Sequence, residues 1–233
     1  MKYLLLLLLF PSTISFSQSA KEIWKPILQD AEVAKYFSGM WESLGITVME
    51  TGEKLTVVHE GDHFTLNEGI DLSKVDYDVV LVGKSVKDMG LYGEDGKIDA
   101  QESFKIMGTL FTPFVRASMQ HPMMQKEFQM NLVGLEKHVH VYLEGPSKGI
   151  VVTHTMIFIN KEWMVIEGIH GNAKRVFEIS VDDAIDYQRV AFKAKKEDSR
   201  KSWKAYKKFY LKWRKNVSYN VEDRAKEEAK KKK

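Results

Sequence analysis

The chain reads GEKLTVVHEGDHFTLNEG from residue 52 to residue 69, and this stretch decides the fold class. Two runs with alternating apolar residues, 55–60 and 64–67, are separated by Gly61-Asp62, a dipeptide typical of tight hairpin turns. A third run at 46–50 precedes them and is followed by a Thr-Gly turn. The pattern predicts an antiparallel meander of three strands.

Helical segments surround the predicted meander. Ser19 and Glu22 have the spacing of a capping box, and Asp30 is placed to cap a second helix. One face of this second helix carries the apolar residues Val33, Ala34, Phe37, Met40, Trp41 and Leu44. The period is helical again from residue 84 to residue 133 and in a basic segment at about 198–215.

The remaining strands complete the predicted fold. They are expected at 76–82, 138–143, 150–160, 162–168 and 175–180. No repeat period is visible, and no linker rich in Pro, Gly or Ser divides the body. We predict an α+β fold with one antiparallel sheet covered by helices and a C-terminal basic helix. The predicted domain is 18–192, followed by a basic helix and charged tail at 193–233 that frays after Tyr219.

Residues 1–17 have the pattern of a cleavable secretory signal. Lys2 is followed by an apolar run at 3–10, and Ser15 and Ser17 stand at the −3 and −1 positions of a cleavage before Gln18. The alternative is a membrane anchor, but the apolar run is far shorter than the ~20 residues of a spanning helix. We therefore expect an exported protein, periplasmic or secreted. The chain has no Cys, which excludes lipid attachment through Cys, disulfides and thiolate chemistry.

Charge is divided unevenly along the chain. Residues 193–233 contain 17 Lys or Arg and 6 Asp or Glu, a net charge of +11, which leaves −8 for residues 1–192. The predicted basic helix carries an aromatic stripe of Trp203, Tyr206, Tyr210 and Trp213. Nucleic acid is not an expected partner of an exported protein.

Two interpretations of the basic helix follow from its pattern. As a membrane-surface element, it would place its lysines against anionic lipid and Trp203 and Trp213 at the interface. The lysines concerned are Lys201, Lys204, Lys207, Lys208 and Lys212. Alternatively, the aromatic stripe docks on the acidic body and the lysines are solvated. We favour docking, because a stripe at helical spacing usually faces a core.

Two patterns in the chain resemble parts of metal sites. The segment 93–104, GEDGKIDAQESF, matches the second half of an EF-hand loop, but Leu91 and Gly93 stand where the first carboxylates belong. A turn is predicted there instead. His138 and His140 share one strand face, while His59 and His63 are placed to oppose each other across a hairpin. Solvated or hydrogen-bonded sheet histidines are the favoured interpretation, with metal binding left open.

Catalytic signatures are weak. The chain contains no nucleophile elbow, Walker loop, dinucleotide fingerprint or zinc-protease helix, so no cofactor, metal or catalytic residue is predicted. Asp76 and Asp78 share a strand face, but Asp beside an apolar run is typical of a solvated strand end.

A stretch rich in Met and Phe is more informative. Two prolines divide the segment 104–128 into short helices, and its apolar residues cover more than one helix face. Methionine adapts to irregular apolar guests, so the segment predicts either several-sided burial in a core or the lining of a cavity. The predicted ligand-binding residues are Phe104, Met107, Phe111, Phe114, Val115, Met119 and Met123, with Phe158 and Met164 as further candidates from a later strand.

The order of these elements resembles the sterol carrier protein family. A leading helix, the meander, the strand DYDVVLVG and the segment GKIDAQESFKIMGTLFTPFVRASM span about residues 31–119. The match is carried by Gly96, Lys97, Ile98, Asp99, Ser103, Phe104, Gly108 and Leu110. The resemblance implies helices that cover a lipid tunnel and reversible binding of an acyl chain, sterol or similar apolar molecule without a catalytic residue.

Three functional classes are therefore consistent with the sequence. The first is an exported, non-enzymatic carrier of an apolar ligand. The second is an envelope hydrolase or isomerase that uses the same cavity and needs a His or Asp pointing into it. The third is a protein-interaction module with a solid core and an exposed apolar patch.

Overall fold

The structure is a computed structural model that describes residues 19–49, 51–81, 116, 119, 122–128, 138–144, 152–159 and 162–232. The helices in these ranges are α1 (Ala20–Leu28), α2 (Ala31–Phe37), α3 (Pro122–Phe128), α4 (Val181–Glu197), α5 (Arg200–Val217) and α6 (Val221–Lys231). The strands are β1 (Ser43–Val48), β2 (Lys54–Glu60), β3 (His63–Glu68), β4 (Tyr77–Leu81), β5 (His138–Leu143), β6 (Val152–Ile159), β7 (Glu162–Glu167), β8 (Arg175–Ile179) and β9 (Ser218–Asn220). The predicted α+β class is confirmed.

The first sheet contains the predicted meander. Its strand order is β3-β2-β1-β4, and β1, β2 and β3 pair in antiparallel fashion. β4 lies on the other side of β1 and runs parallel to it, so that Ile46 pairs with Val79. The helices α1 and α2 contact β3, and both begin at the predicted caps, Ser19 with Glu22 and Asp30.

The second sheet has the order β7-β6-β5-β8-β9. β5, β6 and β7 form an antiparallel meander, β8 runs parallel to β5, and the short β9 pairs with β8. The prediction of one sheet was wrong. A periodic pattern identifies strands, but it carries no information on which strands share a sheet.

The two sheets are topological repeats of each other. We call β1–β4 the first repeat and β5–β8 the second repeat. The strands of both repeats pair in the same register. In the first repeat Leu44 pairs with Val57 on β2 and with Tyr77 on β4. In the second repeat Val139 pairs with Met156 on β6 and with Arg175 on β8. The sequence shows no repeat period because most matched side chains differ and the connection after β5 is longer than the one after β1.

Each repeat contains the same cross-sheet connection. Residues 69–76, the first strap, lead from β3 to β4, and residues 168–174, the second strap, lead from β7 to β8. At the start of each strap a threonine hydroxyl on the neighbouring strand donates to the carbonyl of a glycine with positive φ. These bonds join Thr56 to Gly69 at 2.6 Å and Thr155 to Gly168 at 2.8 Å.

Each sheet therefore has two different faces. The core face of the first sheet is apolar and carries Leu44, Ile46, Val48, Leu55, Val57, Phe64, Tyr77 and Val79, all buried. The outer face carries the strap, which approaches β1 closely: a Cβ on Gly45 would lie 3.0 Å from Cγ2 of Ile70. This contact explains why β1 has a glycine at its centre.

α4 joins the two repeats. Arg189 donates from Nε to the Ser38 carbonyl at 2.9 Å and from Nη2 to the Tyr36 carbonyl at 2.8 Å. Lys195 donates to the Asp76 carbonyl and lies over the Tyr77 ring, 3.9 Å from its centroid. The apolar side chains of both sheets and of α4 and α5 belong to one hydrophobic core.

Several predicted boundaries differ from the structure. α2 ends at Phe37, so Leu44 belongs to β1 rather than to a long helix. The chain after Tyr219 does not fray, because β9 pairs with β8 and Asn220 caps α6. Residue 193 lies inside α4, and both α5 and β9 pack on the body. α5 and β9 are thus part of the folded unit, whereas α6 contacts β9 and has no buried residue.

Candidate ligand-binding site

The stretch rich in Met and Phe at 104–128, here called the Met-rich segment, packs on the second repeat at its C-terminal end. Met119 is only 2% exposed and belongs to the hydrophobic core, and Met123 is half-buried against the same core. The other predicted lining residues lie outside the described residues: Phe104, Met107, Phe111, Phe114 and Val115. The same holds for the EF-hand-like segment 93–104.

Gln125 fixes this end of the segment to β7. Its Oε1 accepts from the Trp163 N–H at 2.7 Å, and its Nε2 donates to the Trp163 carbonyl at 3.1 Å and to the Met119 carbonyl at 2.6 Å. The Gln125 amide thus bonds both the N–H and the carbonyl of Trp163, which are the backbone groups that an adjacent strand would otherwise bond. β7 is the edge strand of its sheet, so the contact also protects an edge that would otherwise pair with other chains.

The two later candidates are not on the same side of the sheet. Phe158 packs on the core face, with its ring centroid 5.3 Å from that of Trp163. Paired residues lie on the same face of a sheet, and Met164 pairs with Ile157, a neighbour of Phe158 in the strand. Met164 therefore points to the outer face, where it is 51% exposed. The prediction that both residues line one site was wrong, since residues at positions 158 and 164 face opposite ways in this hairpin register.

His154 is a core-face residue that was not predicted from the sequence. It occupies in the second repeat the place of Leu55 in the first, and it is 1% exposed. Burial lowers its pKa from 6.5 to about 3, with a smaller contribution from the positive charge of Arg116. The alternation of His154, Met156 and Phe158 was the signal that could have found it, because it places the imidazole on the apolar face.

Arg116 marks the polar border of this region. Its Nε donates to the Val165 carbonyl at 3.0 Å, and the residue is exposed. The exposed Arg116 thus lies beside a buried cluster of methionine and aromatic side chains that includes Met119 and Trp163. Apolar and aromatic side chains with few polar groups are also the usual lining of sites that take apolar molecules.

The histidine pairs behave differently from each other. His138 and His140 share the outer face of β5, as predicted, with ring centroids 5.5 Å apart. His140 donates from Nε2 to the His170 carbonyl at 3.0 Å in the second strap. Burial and the neighbouring His140 lower the pKa of His138. The pair thus packs against a strap.

His59 and His63 do not oppose each other across the hairpin. His59 pairs with Phe64, and Glu60 pairs with His63, so the two imidazoles lie on opposite faces. His59 packs on the Phe64 ring at 5.0 Å between centroids, and His63 contacts Asp62. Within the described ranges, no three His, Asp or Glu side chains are placed to hold a metal ion.

The two strand-end aspartates have unequal surroundings. Asp76 accepts from the backbone N–H groups of Glu42 and Ser43, both at 2.8 Å, and so fixes the start of β4 to the start of β1. Asp78 is exposed on the outer face. Asp76 is therefore a structural acceptor at the start of β4.

A polar groove of about 550 Å³ lies elsewhere, between α2 and α4. Its walls are formed by Glu32, Lys35, Tyr36, Asp182, Ile185, Asp186 and Arg189. Arg189 is already engaged with backbone carbonyls, and Tyr36 donates to Asp182 at 3.4 Å. The groove is charged and open, and none of the described residues of the Met-rich segment lines it.

The basic helix docks through its aromatic stripe. Trp203, Tyr206, Tyr210 and Trp213 are all buried. The indole of Trp203 donates to Asp198 at 2.8 Å and that of Trp213 to the Asp183 carbonyl at 3.0 Å. These tryptophans therefore do not reach a membrane interface, whereas Lys201, Lys204 and Lys208 are exposed.

Comparisons add no relative from which a function could be taken. We found no match to a known protein family, to a curated protein or to a solved structure. Among the described helices, none combines the length and the apolar composition that crossing a bilayer requires.

Proposed function

We propose that the protein is an exported, non-enzymatic carrier of an apolar ligand such as a lipid, fatty acid or sterol-like molecule. The observation that carries the proposal is the position of Met119 and Met123. The Met-rich segment ends on the core face of the second repeat, where its methionines join the aromatic side chains of β6 and β7. Flexible thioether side chains of this kind adapt to apolar guests of variable shape.

The order of elements gives further support. A helical segment, a three-stranded meander and a further strand follow one another along the chain in the order that resembles the sterol carrier protein family. On this proposal each methylene of a ligand chain buried against the site contributes about 0.8 kcal/mol. The secretory signal expected at residues 1–17 supports a location outside the cytoplasm.

An enzyme acting at the same place is the less favoured function. It requires a His or Asp that can exchange a proton near neutral pH. His154 lies on the core face, but a pKa of about 3 makes its imidazole a very weak base. Asp76 is held by backbone donors at a strand end.

The test is ligand binding by protein purified without detergent. Native mass spectrometry is expected to show a bound lipid, and a fluorescent fatty acid is expected to bind and be displaced by unlabelled fatty acid. Met123→Gln places an amide at the apolar surface and weakens binding about tenfold, because an unpaired amide there costs about 1–3 kcal/mol.

Met164→Gln is the matched control. It makes the same chemical change on the outer face of the same sheet, where the side chain is already exposed, and leaves binding unchanged. Thermal unfolding of both variants verifies that the fold is retained. Absence of lipid in repeated preparations together with no fatty acid binding would overturn the proposal, and so would equal effects of the two variants.

A further inference from the structure

α5 has an unusual charge composition for a helix that packs on a protein core. Its sequence, RKSWKAYKKFYLKWRKNV, contains six Lys and two Arg and no Asp or Glu. The helix therefore carries a charge of +8 with no internal compensation. Such a concentration of one sign is informative because ordinary solvated helices mix both signs along the exposed face.

Five of the lysines form one straight stripe. At 100° per residue they fall within an arc of about 80°, and they extend over about 21 Å along the helix axis. We call Lys201, Lys204, Lys208, Lys212 and Lys215 the lysine stripe; all five are exposed. Counting the described residues, none of them has an ion-pair partner.

The aromatic stripe lies on the opposite side of α5. Trp203, Tyr206, Tyr210 and Trp213 are buried against α4 and β8, and Trp213 stacks on Phe177 with ring centroids 5.9 Å apart. The docking of α5 is thus accounted for by the aromatic face alone. The lysine stripe contributes nothing to that docking.

The lysine stripe lowers the stability of α5. Lys204 and Lys208, and Lys208 and Lys212, are like charges at i,i+4, an arrangement that disfavours a helix. Acidic residues at any of these positions would relieve the repulsion. A stripe that weakens the helix and is not needed for packing calls for an anionic partner outside the protein.

We infer that the lysine stripe is a docking surface for a membrane that contains anionic phospholipid. Lysine is a compact, hydrated point charge that suits a diffuse array of headgroup phosphates, whereas arginine is preferred where phosphate is gripped in a bidentate manner. A straight stripe on a convex helix fits a flat surface. A single-stranded nucleic acid is disfavoured, because the aromatic stripe of α5 lies on its buried face and cannot stack with bases.

The structure also defines how the docking occurs. Because Trp203 and Trp213 are buried, α5 does not insert an apolar face into the bilayer and attachment is electrostatic. Binding is therefore reversible and depends steeply on salt. Membrane docking does not rest on the carrier function, although a carrier that meets membranes in this way would be placed beside its source of lipid.

The experiment is co-sedimentation of the purified protein with vesicles of phosphatidylcholine that contain about one third phosphatidylglycerol. The test variant is Lys204→Gln/Lys208→Gln/Lys212→Gln, which keeps helix propensity and removes three charges from the stripe. Binding is expected to weaken about 100-fold. The matched control, Lys226→Gln/Lys230→Gln/Lys231→Gln, removes three charges from exposed positions of α6 and leaves binding nearly unchanged.

Further measurements distinguish electrostatic docking from insertion into the bilayer and from nucleic-acid binding. Wild-type binding should be lost in about 0.5 M NaCl and absent with pure phosphatidylcholine, and tryptophan emission should stay constant on binding. The triple stripe variant should retain fatty acid binding. A failure of the membrane-docking inference can therefore be distinguished from a failure of the proposed carrier function. Equal loss in both triple variants, an emission shift on binding, or binding to DNA but not to vesicles would overturn the inference.

Discussion

His154 makes the second repeat sensitive to acid. In the folded protein its pKa is about 3, against 6.5 for an unburied imidazole, because burial disfavours the charged ring. As the pH falls below 6.5, the unfolded chain takes up a proton that the folded protein does not accept until about pH 3. The unfolding free energy therefore decreases over this window, by about 3 kcal/mol between pH 7 and pH 4.

We predict that His154→Leu removes this part of the pH dependence. Leucine is the residue at the matched place in the first repeat, Leu55, so the substitution suits an apolar sheet face. Urea unfolding at pH 7 and pH 4 should show a difference that is about 3 kcal/mol smaller in the variant than in the wild type. Met164→Gln, at an exposed position of the same sheet without an ionisable group, serves as the control and keeps the wild-type difference. An unchanged pH dependence in His154→Leu would contradict the buried neutral imidazole.

The straps are the elements that distinguish the two repeats from ordinary meanders. A parallel neighbour for the first strand requires the chain to cross the sheet, and the strap does so over the outer face. Gly45 allows this crossing, because a Cβ there would lie 3.0 Å from Ile70 and 3.2 Å from the Asp78 carboxylate. In the second repeat the residue at the place of Gly45 is His140. Its side chain donates a hydrogen bond to the His170 carbonyl of the second strap.

We predict that Gly45→Val destabilises the protein by about 1–3 kcal/mol through overpacking under the first strap. The measurement is a double-mutant cycle with Ile70→Ala, followed by thermal or urea unfolding. In the wild-type background Ile70→Ala removes packing and is destabilising. In the Gly45→Val background the same change makes room and recovers part of the stability. Additive effects of the two substitutions would show that the strap does not press on β1.

The strands themselves were largely predictable from sequence, whereas their assembly was not. Alternation and turn dipeptides identified the meander to within a few residues, and β5 was predicted at its observed bounds. The parallel pairings depend on straps whose sequences share only a Glu-Gly-Ile start, at Glu68 and Glu167. Met119 and Met123 were named from composition as candidate lining residues, and the structure places both at the core of the second repeat. The contact of Gln125 could not be predicted, because it depends on an edge strand that only the fold defines.

At the scale of the whole molecule, α4 joins the two repeats through polar contacts and a shared core. The helix follows the second repeat in the chain, yet Arg189 and Lys195 bond backbone carbonyls around the first. The chain has no disulfide to hold the repeats together. Their coupling therefore comes from the shared core and from these polar contacts, which lie at the junction.

We predict that Arg189→Ala uncouples the repeats. Two hydrogen bonds from a half-buried guanidinium are lost, which costs about 2 kcal/mol and leaves the Ser38 and Tyr36 carbonyls without their donors. Hydrogen exchange followed by mass spectrometry should show β2 and β6 opening together in the wild type and β2 opening first in the variant. Lys193→Ala, at an exposed position of the same helix, is the control and should leave both strands as protected as before. Equal acceleration of β2 and β6 in Arg189→Ala would mean that the shared apolar core alone couples the repeats.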